Sequence, residues 1–128
     1  VLTIDDSSAL TIDPAGLGFF DLVLSDAAPD TTGDRFSDAQ ASLRLAERLF
    51  EIAGRCLKRG GSVAVKLFQG EDSGAFIRSL GSPPEGRQTS GYREVLTCKP
   101  AGSRKESREV YVVARGKRDG PPGGGRVP

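Results

Sequence analysis

Hydrophobic residues recur along this chain in two rhythms, and the change between them sets out the fold. In residues 62–70 Val63, Ala64, Val65, Leu67 and Phe68 form an apolar run interrupted by Lys66. That is the pattern of a strand buried on both faces, as central parallel strands are. Phe19 to Ser25 repeats it, with Asp21 as its one charge, and ends in Ser25-Asp26-Ala27-Ala28-Pro29. Pro29, Thr31, Thr32 and Gly33 then predict a loop. Between the two runs the period becomes helical: Leu45, Leu49, Ile52 and Cys56 make one row, Ala46, Phe50, Ala53 and Leu57 the next. Ser37-Asp38-Ala39-Gln40 has the spacing of a capping box for this helix, and Lys58-Arg59-Gly60-Gly61 offers last-turn cations and a glycine stop. Strand, helix, strand is a βαβ unit with parallel strands. Asp26 and Lys66 therefore fall on the same edge of the sheet.

The remaining segments are shorter. Residues 1–4 predict a brief strand ending in Asp5-Asp6, and Asp13-Pro14-Ala15-Gly16 is turn chemistry. A short helix is expected over residues 73–80, a loop over 81–91, and strands over 92–98 and 107–114. The link between those last strands is too short for a crossover helix, so they should be antiparallel neighbours. If the first runs with the parallel set, the second starts at their carboxyl edge, and Glu109 joins Asp26 and Lys66 there.

With 128 residues, 37% of them hydrophobic, the chain matches one ordinary domain. Its formal charge of +1 conceals acids in the first forty residues and Arg and Lys in the last third, an asymmetry that suits a nucleic-acid-facing end as well as plain solvated surface. Cys56 and Cys98 lack metal spacing and read as small core residues of a reduced, cytoplasmic protein. No run approaches membrane-spanning length. The absence of His removes the commonest acid, base and metal ligand; the absence of Met leaves no initiator and suggests a fragment. Residues 117–128 are basic and Gly/Pro-rich, a tail expected to be disordered behind a domain of residues 1–116.

Asp26, Lys66 and Glu109 thus reach one sheet edge from three elements. Carboxyl ends of parallel strands are where open α/β sheets place ligands and chemistry. On geometry alone the cluster is either a catalytic site or a surface ion-pair network. A P-loop, a Gly-x-Gly-x-x-Gly, a nucleophile elbow and metal-ligand spacing are all absent from the sequence.

The segments Asp21-Leu22-Val23-Leu24-Ser25-Asp26-Ala27-Ala28-Pro29, Leu57-Lys58-Arg59-Gly60-Gly61, Val65-Lys66-Leu67-Phe68-Gln69-Gly70, Lys99-Pro100 and Ser103-Arg104-Lys105-Glu106-Ser107-Arg108-Glu109-Val110-Tyr111 closely resemble the FtsJ family of ribosomal RNA 2′-O-methyltransferases. The resemblance spans about Phe20 to Gly116 in order. It implies a Rossmann-like class I methyltransferase sheet, mostly parallel with an antiparallel last strand. It also implies transfer of a methyl group from S-adenosyl-L-methionine to a ribose 2′-hydroxyl, a uridine of large-subunit rRNA in the bacterial type. An FtsJ-like enzyme acting on tRNA or on the mRNA cap ribose, or a silent RNA-binding fragment, is the alternative.

Of the family's Lys-Asp-Lys-Glu set, the resemblance assigns Asp26, Lys66 as the base that takes the 2′-hydroxyl proton, and Glu109. Asp26 would lie beside the donor methyl, and the acid that contacts the adenosine end corresponds loosely to Asp5 or Asp6, making Asp26 and Asp5 the expected cofactor contacts. Arg104, Lys105 and Arg108, beside Glu109, are the expected RNA contacts, or else a solvated loop. A free lysine has a pKa of about 10.4, so a lysine base needs desolvation or a second cation to lower it. The family's first lysine and glycine-rich cofactor loop fall before Val1. The expectation is therefore the C-terminal two-thirds of the domain, its N-terminal part missing, monomeric, metal-free and weak at holding the cofactor alone.

Overall fold

A computed structural model describes residues 1–4, 19–29, 32–81, 91–99 and 108–120. In chain order its elements are β1 (Leu2–Ile4), β2 (Phe20–Ser25), α1 (Arg35–Cys56), β3 (Leu57–Phe68), α2 (Ser73–Gly81), β4 (Tyr92–Cys98) and β5 (Glu109–Lys117). The strands form one sheet in the order β1-β2-β3-β5-β4. β1, β2 and β3 are mutually parallel. β5 runs against both β3 and β4, so β4 points the same way as β3. This is the mixed α/β sheet with the antiparallel last strand that the short final connection demanded.

Both predicted rows of α1 are buried: Leu45, Ala46, Leu49, Phe50, Ile52, Ala53 and Cys56 sit in the core with Val23, Val63, Val65, Leu67, Val110, Val112 and Ala114. Each such Leu, Ile or Val contributes roughly 1.5–3 kcal/mol by leaving water. Phe50 adds edge-to-face contacts to Phe76 of α2 and Tyr92 of β4, at centroid distances of 5.6 and 5.9 Å. These contacts seat both helices on the same face of the sheet.

The structure revises five sequence expectations. α1 is capped by Asp34, not Ser37: Asp34 holds an extended conformation and accepts the Ser37 backbone N–H at 3.2 Å. Asp38 faces backward instead, accepting from Thr32 N at 2.8 Å, Thr32 Oγ1 at 2.9 Å and Gly33 N at 3.2 Å. Leu57 leaves the helix and opens β3 opposite Phe20. Between the pairs Phe20/Leu57 and Leu22/Ser62 the partner advances two residues while β3 advances five, so the exposed Lys58, Arg59 and Gly60 bulge out, with Gly60 at φ +82°. The glycines thus shape an irregular strand start, and the last-turn cation of α1 is Arg55.

β3 is not buried on both faces: Val63, Val65 and Leu67 are fully buried, whereas Ser62, Ala64, Lys66 and Phe68 are half-buried, because the described helices cover one side. Cys98 is exposed on the edge strand β4, and only Cys56 belongs to the core. Last, β5 runs on through Lys117, past the expected boundary at Gly116, and the buried Lys117 Nζ donates to the Asp119 carbonyl at 2.7 Å.

The carboxyl end of β3 is tied down from both sides. Gln69 N donates to the Arg108 carbonyl at 3.0 Å, the last rung toward β5. Phe68 N points the other way, beyond the end of β2, and Ser42 Oγ of α1 accepts it at 2.9 Å. Gly70 then passes so near α1 that a Cβ there would lie 2.7 Å from the Ala39 Cβ. Ser73 closes the turn by accepting from Gly70 N at 3.1 Å and donating to its carbonyl at 2.8 Å.

Candidate active site

Lys66 stands two residues before the end of β3, its side chain 19% exposed, between two carboxylates delivered by other strands. Its Nζ lies 3.3 Å from Asp26 Oδ1, just past β2, and 3.8 Å from Glu109 Oε1 at the start of β5. The parallel β2/β3 register brings Asp26 there, since Ser25 is paired with Val65. The antiparallel β3/β5 register brings Glu109, the partner of Phe68. Ala27 N donates to Ser25 Oγ at 3.2 Å, which turns the chain at the strand end and leaves Asp26 facing outward.

A fourth group completes the cluster. Tyr111, the cross-strand partner of Lys66, donates its hydroxyl to Asp26 Oδ1 at 2.8 Å. That hydrogen bond, with the lesser help of Lys66, holds the Asp26 carboxyl below the usual carboxylate range, while the same bond pushes the Tyr111 phenol up. Sequence reading gave Tyr111 no role. The available signal was its spacing: it lies two residues after Glu109 and so shares a strand face with it.

Three of the expected residues, Asp26, Lys66 and Glu109, thus meet at one edge. Arg108 is exposed beside Glu109. Asp5, Asp6, Arg104 and Lys105 lie outside the described residues. Among the described residues, no group of His, Cys, Asp and Glu could hold a metal ion, and no helix is long and apolar enough to cross a membrane.

The chain is thus an α/β protein whose mostly parallel sheet carries a lysine between two carboxylates at its carboxyl edge. The family model described as FtsJ-like methyltransferase matches residues 4–117, and the chain belongs to that family. It is similar, at 41% identity over 77% of its length, to the ribosomal RNA large subunit methyltransferase E of Nitratidesulfovibrio vulgaris, of which it covers 45%. The protein of that name from Xanthomonas campestris pv. campestris is 45% identical over 77% of this chain and is 43% covered. The chain therefore spans less than half the length of these relatives. Among solved structures, a ribosomal RNA methyltransferase from Plasmodium falciparum superposes with a TM-score of 0.64 at 22% identity, over 80% of this chain and 50% of that one. An alphavirus P23pro-zbd protein shares the fold at a TM-score of 0.59 and 18% identity, over 80% and 14%.

Proposed function

We propose that this chain belongs to an enzyme that methylates a ribose 2′-hydroxyl of RNA with S-adenosyl-L-methionine as donor, in the cytoplasm, its target a uridine of large-subunit rRNA. The observation that carries the reading is Lys66 Nζ held between Asp26 and Glu109 at the carboxyl edge of a family-typical sheet.

The donor set fits the cofactor's charge. Asp26 is outward-facing, ionised and held low in pKa, which suits a neighbouring cation such as a sulfonium. Asp26, with Asp5 as the second contact, would hold S-adenosyl-L-methionine, which supplies an electrophilic methyl group on that sulfonium. Lys66 accepts the proton of the attacking 2′-hydroxyl; Asp26 and Glu109 fix the direction of its Nζ, and Tyr111 fixes Asp26. Positioned proton transfer of this kind contributes typically about 10²–10⁴-fold. Arg108, beside Glu109, supplies a phosphate contact, with Arg104 and Lys105 as the further expected RNA contacts.

The test is a methyl-transfer assay on the full-length protein with large ribosomal subunits, tRNA and capped mRNA each offered as substrate with isotopically labelled donor, followed by mapping of the modified nucleotide. Label on a 2′-oxygen supports the reading. Label on a base, or none, contradicts it, and label on tRNA or a cap ribose alone would move the substrate to the alternative within the same chemistry.

A further inference from the structure

We propose that the groove beside the Asp26-Lys66-Glu109 edge binds single-stranded RNA next to the target ribose, with Arg35 and Arg108 on its phosphates and Phe36 stacked on one of its bases. This rests on the reading of the chain as an RNA ribose methyltransferase.

The groove has a volume of about 610 Å³ and lies between the first turn of α1, the β3–α2 turn and the facing ends of β4 and β5, lined among others by Arg35, Phe36, Gln69, Glu71, Lys99 and Arg108. It is continuous with the catalytic cluster through the backbone. Gln69 and Arg108 form the last rung of the β3/β5 ladder, one residue beyond the pair Phe68/Glu109. The groove and the Asp26-Lys66-Glu109 cluster thus meet at one carboxyl edge from opposite faces of the sheet, and a polynucleotide whose ribose reaches Lys66 need only cross that edge to enter the groove.

The lining has the chemistry of a single-strand track. Three cations from three elements face one carboxylate, Glu71. Arg35 and Arg108 are both exposed, and among the described residues neither side chain makes an ion pair. Phe36 is 59% exposed, although it sits on a helix whose core-facing positions, from Ala39 and Ser42 onward, are filled without it. An uncovered aromatic ring in a groove that is also lined by cations is how sequence-tolerant single-strand sites are built: bases stack on the ring while cations follow the phosphates. A duplex presents its bases already stacked and has no free face to offer the ring.

The test uses the full-length protein and a labelled single-stranded RNA oligonucleotide, with affinity read by fluorescence anisotropy across a salt series. Phe36→Ala should weaken binding about tenfold, and Phe36→Trp should restore it. The double variant Arg35→Ala/Arg108→Ala should reduce the slope of log affinity against log salt by about 1.4, or 0.7 per single-strand phosphate contact. Unchanged affinity in Phe36→Ala, an unchanged slope, failure of Phe36→Trp to restore binding, or a preference for the duplex of the same sequence would overturn the proposal. Methyl transfer measured in parallel separates the two readings. If wild type methylates ribose while Phe36→Ala binds normally, the groove assignment fails and the enzymatic one stands; if the binding changes appear but no ribose is modified, the enzymatic reading fails.

Discussion

Lys66 and Tyr111 face each other across β3 and β5, and both reach the same oxygen, Asp26 Oδ1, at 3.3 and 2.8 Å. The carboxylate is held by a neutral donor as well as by a cation. Its orientation therefore does not depend on Lys66 alone.

The first prediction concerns that shared oxygen. Tyr111→Phe removes the largest influence that lowers the Asp26 pKa, so the carboxyl should titrate nearer the ordinary value, visible in its NMR signal as a function of pH. Asp26 is 59% exposed, and one hydrogen bond there is worth little. Turnover should fall by roughly two- to tenfold, far less than on losing Lys66. A drop as deep as that of the lysine variant would make Tyr111 part of the proton-transfer machinery.

The second concerns acid. Asp34 and Asp38 are both held below the ordinary carboxylate value, Asp34 by its hydrogen bonds with Ser37 and Asp38 by those from Thr32, and Asp26 is shifted the same way. Unfolded, these groups bind protons near the ordinary value of about 3.9; folded, they do so only at lower pH. The unfolded state thus binds more protons across that interval, and the stability these groups give is full above it and lost as pH falls through the folded values. Urea unfolding should show a plateau above about pH 5 and a decline below about pH 4. Asp38→Asn should make the decline shallower.

Gly70→Ala is the third. The new Cβ would meet the Ala39 Cβ at 2.7 Å, and neither partner has a flexible end that can move aside, so β3 and α1 must separate. The expected cost is about 1–3 kcal/mol in urea unfolding. Because Gly70 follows the strand that carries Lys66, turnover should fall in the folded fraction too.

How far the sequence discloses this arrangement depends on what each residue's position is set by. The two parallel strands, the long helix and the final hairpin are legible because Val63, Val65 and Leu67 against Leu45, Leu49 and Ile52 change period from strand to helix. The meeting of Asp26, Lys66 and Glu109 follows from strand direction alone. The exact helix ends do not: Asp34 and Ser37 are equally good caps three residues apart, and the choice goes to Asp34 because Ser37 donates both its backbone N–H and its hydroxyl to Asp34 Oδ2. Leu57 fits the helical row as well as its neighbours do, and only pairing with Phe20, distant in the chain, draws it into β3. Cys98 looks like core by type but lies on an edge strand, whose outer side nothing described covers. The hydroxyl of Tyr111 and the groove at Arg35 and Phe36 arise from elements that meet only in three dimensions.

On the proposed function, Lys66 takes the proton of the ribose hydroxyl. The most direct measurement compares single-turnover methyl transfer and RNA affinity for wild type, Lys66→Ala and Lys66→Arg in the full-length protein. A loss of at least about 10²-fold in rate is expected for Lys66→Ala and a similar loss for Lys66→Arg, whose guanidinium cannot accept a proton, with RNA affinity nearly unchanged in both. Retention of most of the turnover by Lys66→Ala would contradict it.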